Sequence, residues 1–373
     1  MKRKKICFVS LSSYPLLSNK GMEYIGGAEV DQFLLAKELP GSSFDITFIT
    51  YSDGGDTVEY FNNMRIIKAY ERENASNLTL CSKALSLFYE MYKAKADIYF
   101  HSAGASGIVA LFCLLNNKKF IYRIPSDRDV DNKLSFPCEK RYRWLLNKMD
   151  INLADCIIAQ SEYQKELVKK NFNKKSIVIK NAFPIKPIEV KKPSNRPIVL
   201  WVGTIGKVKQ PELFLELAIS ITNTDFIMIG GPGNDLEFYN KIKNKAKQIP
   251  NLSFLGFIPF GKIDTYFIKA SVLVNTSMFE GFSNTFIQAW MNCVPVITLN
   301  SDPDEIVCKY KLGFHSKTFE QLILDTKKII EDVRLCNQMG KNGRDYVERE
   351  HDIKKIVDKY VVIFNKLCET IGS

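Results

Sequence analysis

Short apolar runs alternate along this chain with longer stretches whose apolar residues recur at helical spacing. Strands that alternate with helices are typical of parallel sheets joined by crossover helices, so the pattern predicts an α/β fold. In the first half it predicts strands at positions 6–10, 46–50, 65–69, 98–101, 120–124, 156–160 and 176–179, and helices at 28–39, 76–95, 104–116 and 162–170. In the second half it predicts strands at 198–202, 226–229, 253–255, 272–275 and 294–299.

One proline-rich break interrupts this alternation. Positions 184–197 hold four prolines in fourteen residues, which neither a helix nor a central strand accommodates. The break predicts an interdomain linker between two doubly wound domains, residues 1–186 and 187–352. Within residues 353–373 the apolar positions again follow the helical period, which predicts an amphipathic C-terminal helix.

The composition permits two hydrophobic cores without disulfide or metal support. The chain has 373 residues, 46% of them hydrophobic. Its nine cysteines form no C-x-x-C pair, and three histidines leave little material for a zinc site. We therefore expect reduced thiols and a cytoplasmic protein, and the apolar stretch after Lys5 is too short for a signal peptide or a membrane span.

The charge balance is positive but spread along the chain. The formal net charge is +11, and residues 1–190 hold 28 Lys and Arg against 21 Asp and Glu. Because no basic helix and no aromatic RNA-binding signature is present, we expect no nucleic-acid partner. The excess is compatible with peripheral contact with an anionic membrane or with phosphate-bearing substrates. Solvated lysines on helices are the competing interpretation.

The most specific chemistry follows the predicted strand at 272–275. Glu280 stands in a polar turn, and Phe282, Ser283, Asn284 and Thr285 open a predicted helix. A carboxylate accepts hydrogen bonds from hydroxyl groups, and the backbone N–H groups of a helix start can hold phosphate. Together they suit a sugar attached to a diphosphate. The competing interpretation makes the aromatic residues a core stripe and Glu280 an ordinary loop acid.

This segment resembles the donor-binding segment of glycosyltransferase family 4, in which a Glu-Gly-Phe turn opens a helix and a second Glu follows eight positions later. Glu280 matches the first acid, whereas position 288 is Gln288. Residues 201–215 resemble the family's segment in which Arg and Lys, five residues apart, bind the donor diphosphate. Lys209 matches the Lys, but Thr204 stands at the Arg position, and Lys207 is either a substitute for that Arg or a surface residue.

The first domain offers further matches to the family. Gly26 and Gly27 resemble its Gly-Gly loop, where bare backbone approaches a phosphate closely, with an ordinary turn as the alternative. His101 ends a predicted strand where family members often carry a His that touches the donor sugar, although a lone histidine is more often structural. Asp127 and Arg128 follow the next strand and are candidates for the acceptor side, with a solvated charged loop as the alternative.

Two loops of the second domain correspond to the family's nucleoside-binding loops. They contain Gly231 and Ile258, each of which follows a predicted strand. In the family such loops hold the nucleoside largely through backbone groups. Plain turns are the competing interpretation, and the two loops do not indicate which base is bound.

The resemblance implies a GT-B fold, with two Rossmann-like domains facing a cleft and the C-terminal helix, residues 353–373, packing back on the first domain. It also implies a retaining hexosyltransferase. Glu280 would position a donor-sugar hydroxyl, Lys209 and the N–H groups near Ser283 would stabilise the departing diphosphate, and Gln288 would reach the ribose. His101 would join Lys209 and Glu280 as a catalytic residue.

The resemblance further implies a UDP- or GDP-sugar as co-substrate and no essential metal. The acceptor would be a glycan or a lipid-linked glycan in bacterial surface polysaccharide synthesis, at the inner face of the plasma membrane. Thr204 and Gln288 leave open a pseudoenzyme of the same fold that binds another glycosyltransferase. A nicotinamide-dependent dehydrogenase is disfavoured because no G-x-G-x-x-G motif follows the first strand.

Overall fold

The computed structural model describes residues 3–18, 25–41, 43–52, 54–71, 80–103, 107–132, 141–188, 196–233 and 235–370. Among these, unit 1 comprises the residues up to Pro184 together with those from Ile353 onward. Unit 2 comprises Ile185–Asp352. The change of unit falls within the proline-rich segment, whose described residues from Pro184 to Ile188 form neither helix nor strand.

Unit 1 is built on an eight-stranded sheet with the order β3-β4-β2-β1-β5-β6-β7-β8. Neighbouring strands pair in parallel, except that β3 runs antiparallel to β4. The described strands are β1 (Lys4–Val9), β2 (Phe44–Ser52), β3 (Val58–Phe61), β4 (Met64–Glu71), β5 (Ile98–His101), β6 (Lys119–Arg123), β7 (Cys156–Ala159) and β8 (Ile177–Val178).

Helices cover both faces of this sheet. One core joins α3, α4, α5 and α6 to the strand residues Cys7, Val9 and Tyr99 on one face. On the other face α14 packs against α2, and its Tyr360 ring contacts Phe100. The helices of unit 1 are α1 (Tyr14–Ser18), α2 (Gly27–Glu38), α3 (Leu80–Ala94), α4 (Ile108–Leu115), α5 (Arg141–Leu153), α6 (Glu162–Phe172) and α14 (Ile353–Glu369).

Unit 2 is built on a six-stranded parallel sheet with the order β11-β10-β9-β12-β13-β14. Its strands are β9 (Ile198–Val202), β10 (Asp225–Ile229), β11 (Leu252–Gly256), β12 (Val272–Asn275), β13 (Val296–Thr298) and β14 (Gly313–His315). Its helices are α7 (Pro211–Ser220), α8 (Leu236–Ala246), α9 (Phe260–Lys269), α10 (Asn284–Met291), α11 (Ile306–Lys309), α12 (Phe319–Glu331) and α13 (Val333–Glu350).

The strand order reverses direction once in each parallel array. In unit 1 the chain runs from β1 to β2 in one direction and from β5 through β8 in the other, so the reversal lies between β1 and β5. In unit 2 it lies between β9 and β12. Because the connecting loops diverge there, the carboxyl edge at a reversal forms a crevice, and open α/β sheets bind ligands at this place.

The predicted α/β architecture of two parallel sheets is confirmed, but the prediction omitted several elements. Strand β3 pairs with β4 through Asn62 and Asn63, which have φ angles of 47° and 63°. Positive φ at both central residues is typical of a tight type I′ hairpin, so Asn-Asn between apolar residues was a usable signal. The prediction also lacked α1, α5 and β14. Predicted helix positions 76–79 and 104–106 lie outside the described residues.

Candidate active site

A lysine and a glutamate from two loops of unit 2 form an ion pair at the strand reversal. Lys209 ends a short 3-10 helix (Lys207–Lys209) after β9, and Glu280 lies in the turn after β12. The Lys209 Nζ atom lies 2.6 Å from Glu280 Oε1, and the side chains are 30% and 11% exposed. The two residues predicted to act on the donor therefore meet at the carboxyl edge of adjacent strands.

Side-chain and backbone hydrogen bonds of β9 and the two loops hold this pair in place. The Trp201 indole donates to the Thr276 hydroxyl at 3.0 Å, and that hydroxyl donates to the Lys209 carbonyl at 2.7 Å. The Met278 N–H donates to the Val208 carbonyl at 2.8 Å. Because the loops are joined on both sides of Lys209, its ammonium group reaches Glu280 from a fixed backbone.

Among the described residues, all the hydrogen bonds to the Glu280 carboxylate fall on one of its two oxygens. Oε1 accepts from Lys209, from Ser277 Oγ at 2.7 Å and from Asn275 Nδ2 at 3.2 Å. Burial alone would raise the pKa of Glu280, but the Lys209 charge and these hydrogen bonds outweigh burial and hold this pKa below its ordinary value. Glu280 is therefore ionised at neutral pH, and Oε2 has no hydrogen bond within the described part of the chain.

Helix α10 places the other predicted donor-binding residues beside this turn. Ser283 is its N-cap residue, and its hydroxyl lies 2.9 Å from the Thr285 hydroxyl, with Asn284 between them. Gln288 is buried, yet its side-chain amide forms no hydrogen bond with any described residue. The Phe282 ring packs on His351 at a centroid distance of 4.9 Å. A donor contact by Phe282 would thus involve its backbone.

Thr204, Gly231 and Ile258 lie in three loops at the same edge of the sheet. The Ile205 N–H donates to the Gly231 carbonyl at 3.0 Å, and the Gly230 N–H donates to the carbonyl of Gly256, just before the segment that holds Ile258. A Cβ atom at Gly230 would overlap the Gly203 carbonyl, so only glycine permits this close approach. The loops form a continuous backbone surface next to Lys209.

In unit 1, His101 is fully buried at the end of β5, beside β1. Its Nδ1 lies 3.0 Å from the Val9 carbonyl oxygen, which can only accept, so Nδ1 carries the proton. Burial lowers the pKa of His101 to about 4, although the bond to Val9 opposes this shift. At neutral pH the ring is uncharged, and Nε2 is an acceptor with no partner among the described residues.

The predicted glycine loop opens α2 at the same strand reversal of unit 1. Gly26 is the N-cap residue and Gly27 the first residue of the helix, which carries Glu29 in its first turn. The Gln32 amide nitrogen of this helix donates to Ser10 Oγ, just after β1, at 3.1 Å. Glycine backbone and hydroxyl groups therefore lie on the β1 side of this reversal, and His101 lies on the β5 side.

Asp127 and Arg128 lie in a short 3-10 helix (Asp127–Asp129) after β6. Gln164 Nε2 of α6 donates to Asp127 Oδ1 at 2.9 Å, and the Ser126 hydroxyl accepts from the Arg128 N–H. Both residues are half-buried, so the structure shows a tethered loop instead of a freely solvated one. Their role towards an acceptor stays a prediction.

The structure adds four polar residues that the sequence analysis did not select. Asn275 and Ser277 hold Glu280, and the buried Gln32 Oε1 has no hydrogen-bond partner among the described residues. Burial raises the pKa of Asp129 to about 7, against the opposing effects of Arg128, Ser126 and Asn147. Only Asn275 and Ser277 carried a sequence signal, because Asn275 ends a predicted strand and Ser277 lies between that strand and Glu280.

Among the described residues, no group of three or more His, Cys, Asp and Glu side chains stands close enough to hold a metal ion. Within the same residues, no helix has both the length and the apolar character needed to cross a bilayer.

Two family descriptions match consecutive parts of the chain. "Glycosyltransferase Family 4" matches residues 25–186, and "Glycosyl transferases group 1" matches residues 183–346. The chain belongs to the GT-B glycosyltransferases of group 1. Unit 2, with its Lys209–Glu280 pair, is the part of this glycosyltransferase that the group 1 description covers.

Individual relatives agree with this assignment. The chain is 26% identical over 335 residues to an uncharacterised glycosyltransferase of Methanocaldococcus jannaschii. The matched region covers 81% of this chain and 82% of the relative. The chain is also 26% identical over 179 residues to the alpha-monoglucosyldiacylglycerol synthase of Acholeplasma laidlawii, covering 47% of the chain and 42% of that enzyme.

Solved structures confirm the GT-B fold. Sucrose-phosphate synthase from Thermosynechococcus elongatus has a TM-score of 0.84 at 18% identity, covering 99% of this chain and 100% of that one. Anabaena HepE in complex with UDP-glucose has a TM-score of 0.72 at 14% identity, covering 99% of both chains. At these identities the likeness shows the fold alone.

Proposed function

We propose that this glycosyltransferase transfers a hexose-type sugar from a nucleotide-sugar, UDP- or GDP-linked, with retention of anomeric configuration. The observation that carries the proposal is the Lys209–Glu280 pair at the strand reversal of unit 2. A cation suits the diphosphate of such a donor, and a carboxylate suits its sugar hydroxyls. The HepE structure with UDP-glucose supports a donor of this class.

The hydrogen bonds of the pair suggest how the two residues divide the work. A lysine ammonium has three N–H donors, and Glu280 Oε1 takes one, which leaves two for diphosphate oxygens. Glu280 Oε1 is saturated by Lys209, Ser277 and Asn275, so Oε2 is the oxygen that accepts a sugar hydroxyl. Asn275 and Ser277 thereby act as positioning residues for Glu280.

The rest of the donor is expected to lie along the loops next to this pair. The α10 start at Ser283, Asn284 and Thr285 would add backbone N–H groups to the diphosphate. Gln288, with an uncommitted amide, would bind the ribose, and the loops of Gly231 and Ile258 would hold the base. Thr204 supplies no charge, so Lys209 is the side-chain cation that we assign to the diphosphate.

The transfer step needs no enzymic carboxylate pair in this proposal. The acceptor oxygen bonds to the anomeric carbon, the bond from that carbon to the diphosphate breaks, and the acceptor proton passes to the departing phosphate oxygen. Lys209 and the helix start stabilise the negative charge that develops there, so we expect no essential metal. In unit 1, the neutral His101 is the residue that we propose to accept a hydrogen bond from a sugar hydroxyl, through Nε2.

The acceptor is proposed to be a glycan or a lipid-linked glycan of bacterial surface polysaccharide synthesis. The similarity to an enzyme named for a glucosylated diacylglycerol supports a lipid-bearing acceptor. Asp127 and Arg128 are the candidates for the acceptor side in unit 1. We propose that the reaction takes place in the cytoplasm, at the inner membrane face.

Calorimetry of nucleotide binding tests the donor site. The wild type should bind UDP or GDP selectively, and Lys209→Met should weaken that binding about 10- to 100-fold because a charge-assisted contact is lost. The affinity for the nucleoside without its diphosphate should be the same in Lys209→Met as in the wild type. Lys207→Met is the matched control, because Lys207 lies in the same 3-10 helix with a side chain that is 79% exposed.

Turnover of the sugar nucleotide then tests the chemistry. Glu280→Gln should keep the affinity for the nucleoside diphosphate but slow sugar transfer or donor hydrolysis. For the wild type, NMR should show that the product has the same anomeric configuration as the donor sugar. Equal effects of Lys207→Met and Lys209→Met would contradict the proposed site. Selective nucleotide binding without turnover of any sugar nucleotide would instead favour the pseudoenzyme.

A further inference from the structure

Three neighbouring helices of unit 1 expose large apolar side chains to solvent. The exposed fraction is 71% for Leu85, 67% for Tyr92 and 66% for Leu115. Single exposed apolar residues are ordinary on a protein surface, but a group of them on adjacent helices marks an interaction site. The group, termed here the apolar face, consists of Leu85, Tyr89, Tyr92, Leu111, Leu114, Leu115 and Leu145.

The side chains of each helix form one stripe, and the stripes lie on adjacent helices. On α3 they stand at positions 85, 89 and 92, and on α4 at 111, 114 and 115, which are helical spacings. Phe88 of α3 contacts Phe112 of α4 edge to face at 5.3 Å. The Gly107 N–H, at the start of α4, donates to Asp150 of α5 at 2.9 Å.

Within α3, α4 and α5 the lysines are partly exposed, whereas both acids are buried. The acids within α3, α4 and α5 are Glu90 and Asp150, both buried, and Glu90 pairs with Lys93. Lys148 of α5 stands 3.5 Å from the centroid of the Trp144 ring. The lysines on these helices or directly after them are Lys83, Lys93, Lys95, Lys118, Lys119 and Lys148, of which Lys93 pairs with Glu90 and Lys119 pairs with Asp155, just after α5.

We propose that the apolar face binds the surface of an anionic lipid bilayer. Leucines would enter the boundary of the acyl chains, tyrosine rings would lie at headgroup level, and lysines would extend to the lipid phosphates. A second copy of the chain is a poorer occupant, because a two-fold contact would bring lysines against lysines. The membrane location is part of the proposed function, and this proposal assigns it to specific residues.

Sedimentation with vesicles tests the proposal. The full chain should sediment with vesicles that contain phosphatidylglycerol and dissociate from them at high salt. Its binding to pure phosphatidylcholine vesicles should be weaker by about tenfold or more. The double variant Leu114→Ser, Leu115→Ser should lose about tenfold or more of the binding. The matched control is Ile219→Ser, Leu324→Ser, because these unit 2 residues are 62% and 59% exposed.

Three results would overturn the assignment. The first is no binding to anionic vesicles, and the second is equal loss in the variant and its control. The third is a wild-type dimer that the Leu114, Leu115 variant converts to a monomer in ultracentrifugation. Calorimetry of UDP and GDP binding on the same samples separates the membrane proposal from the proposed donor site. Loss of vesicle binding with nucleotide binding intact would refute only the membrane proposal, and vesicle binding without nucleotide binding would refute only the donor site.

Discussion

The protonation states of Glu280 and His101 are set by their neighbours in opposite ways. Lys209, Ser277 and Asn275 stabilise the charged form of the Glu280 carboxyl. His101 is surrounded by apolar strands, and its burial stabilises the uncharged ring. At neutral pH the Glu280 carboxylate of unit 2 is thus an anionic hydrogen-bond acceptor, and the His101 ring of unit 1 is a neutral one.

The buried His101 predicts a specific dependence of stability on pH. The unfolded chain binds a proton near pH 6.5, whereas folded His101 binds one only near pH 4. Between these values the unfolded state holds more protons, so the free energy of unfolding should fall as the pH is lowered. This stability is fully present above pH 6.5, and roughly 3 kcal/mol of it is lost once the pH is below 4.

Chemical denaturation of the wild type and His101→Asn at several pH values between 7 and 4 measures this contribution. Asn keeps an N–H donor for the Val9 carbonyl but does not titrate. The difference in unfolding free energy between the two proteins should shrink as the pH falls, while carboxyl groups common to both cancel. Parallel curves would show that His101 is not buried in its neutral form.

Several residues of the site could be predicted from the sequence, but most of the contacts between them could not. Glu280 and Lys209 were predicted from the resemblance of their two segments to glycosyltransferase family 4, yet 71 residues separate them, and nothing local indicated their ion pair. Ser277 donates a hydrogen bond to Glu280 because of the conformation of the turn between them, which the sequence does not specify. Gln32 and Asp129 matter because of burial, which depends on elements far away in the chain.

At the scale of elements, the orientation of α10 depends on its contact with α13. Gly340 and Gly343 of α13 face α10, and a Cβ atom at Gly340 would overlap the Cys293 carbonyl just after α10. The Trp290 ring packs against Tyr346 of α13 at 5.7 Å. Because α10 begins at Asn284, this contact also orients the helix start that we assign to the diphosphate.

Gly340→Ala should therefore destabilise the protein, although alanine favours helices. We expect a loss of about 1–3 kcal/mol, because α13 must move away from a backbone carbonyl. Gly261→Ala in α9 is the control: no atom lies within 4 Å of its Cβ position, and the change should be neutral or stabilise by about 0.5–1 kcal/mol. Denaturant titration measures both, and equal effects would contradict the close packing of α10 on α13.

The elements that could be predicted are those with continuous apolar sequences. Strands such as β1 and β9 are buried on both sides and read as runs of apolar residues. Helix α5 was missed because its inward positions include the polar residues Asn147 and Asp150, which interrupt the apolar period. Strand β14 has three residues, too few for any periodicity.

At the scale of the molecule, unit 1 is completed by the last helix of the chain. Arg123 is buried at the end of β6 and forms an ion pair with Asp31 of α2. It also donates to the carbonyl of Ile179, to Asn181 and to the Tyr360 hydroxyl of α14 at 3.1 Å. A buried cation without such partners is strongly unfavourable, so the network ties α14 to residues that precede it by more than 150 positions.

A chain that ends after Asp352 should consequently lose unit 1 but keep unit 2. The truncation removes the buried side chains of α14, among them Ile356, Tyr360 and Phe364. Each contributes about 1.5–3 kcal/mol, and together they approach the roughly 5–15 kcal/mol that stabilises a domain.

Hydrogen exchange should show unit 1 peptides unprotected and β9–β14 protected. Val362→Ser, 67% exposed on the same helix, should leave both units protected. If unit 1 stays protected without α14, its core does not depend on this helix.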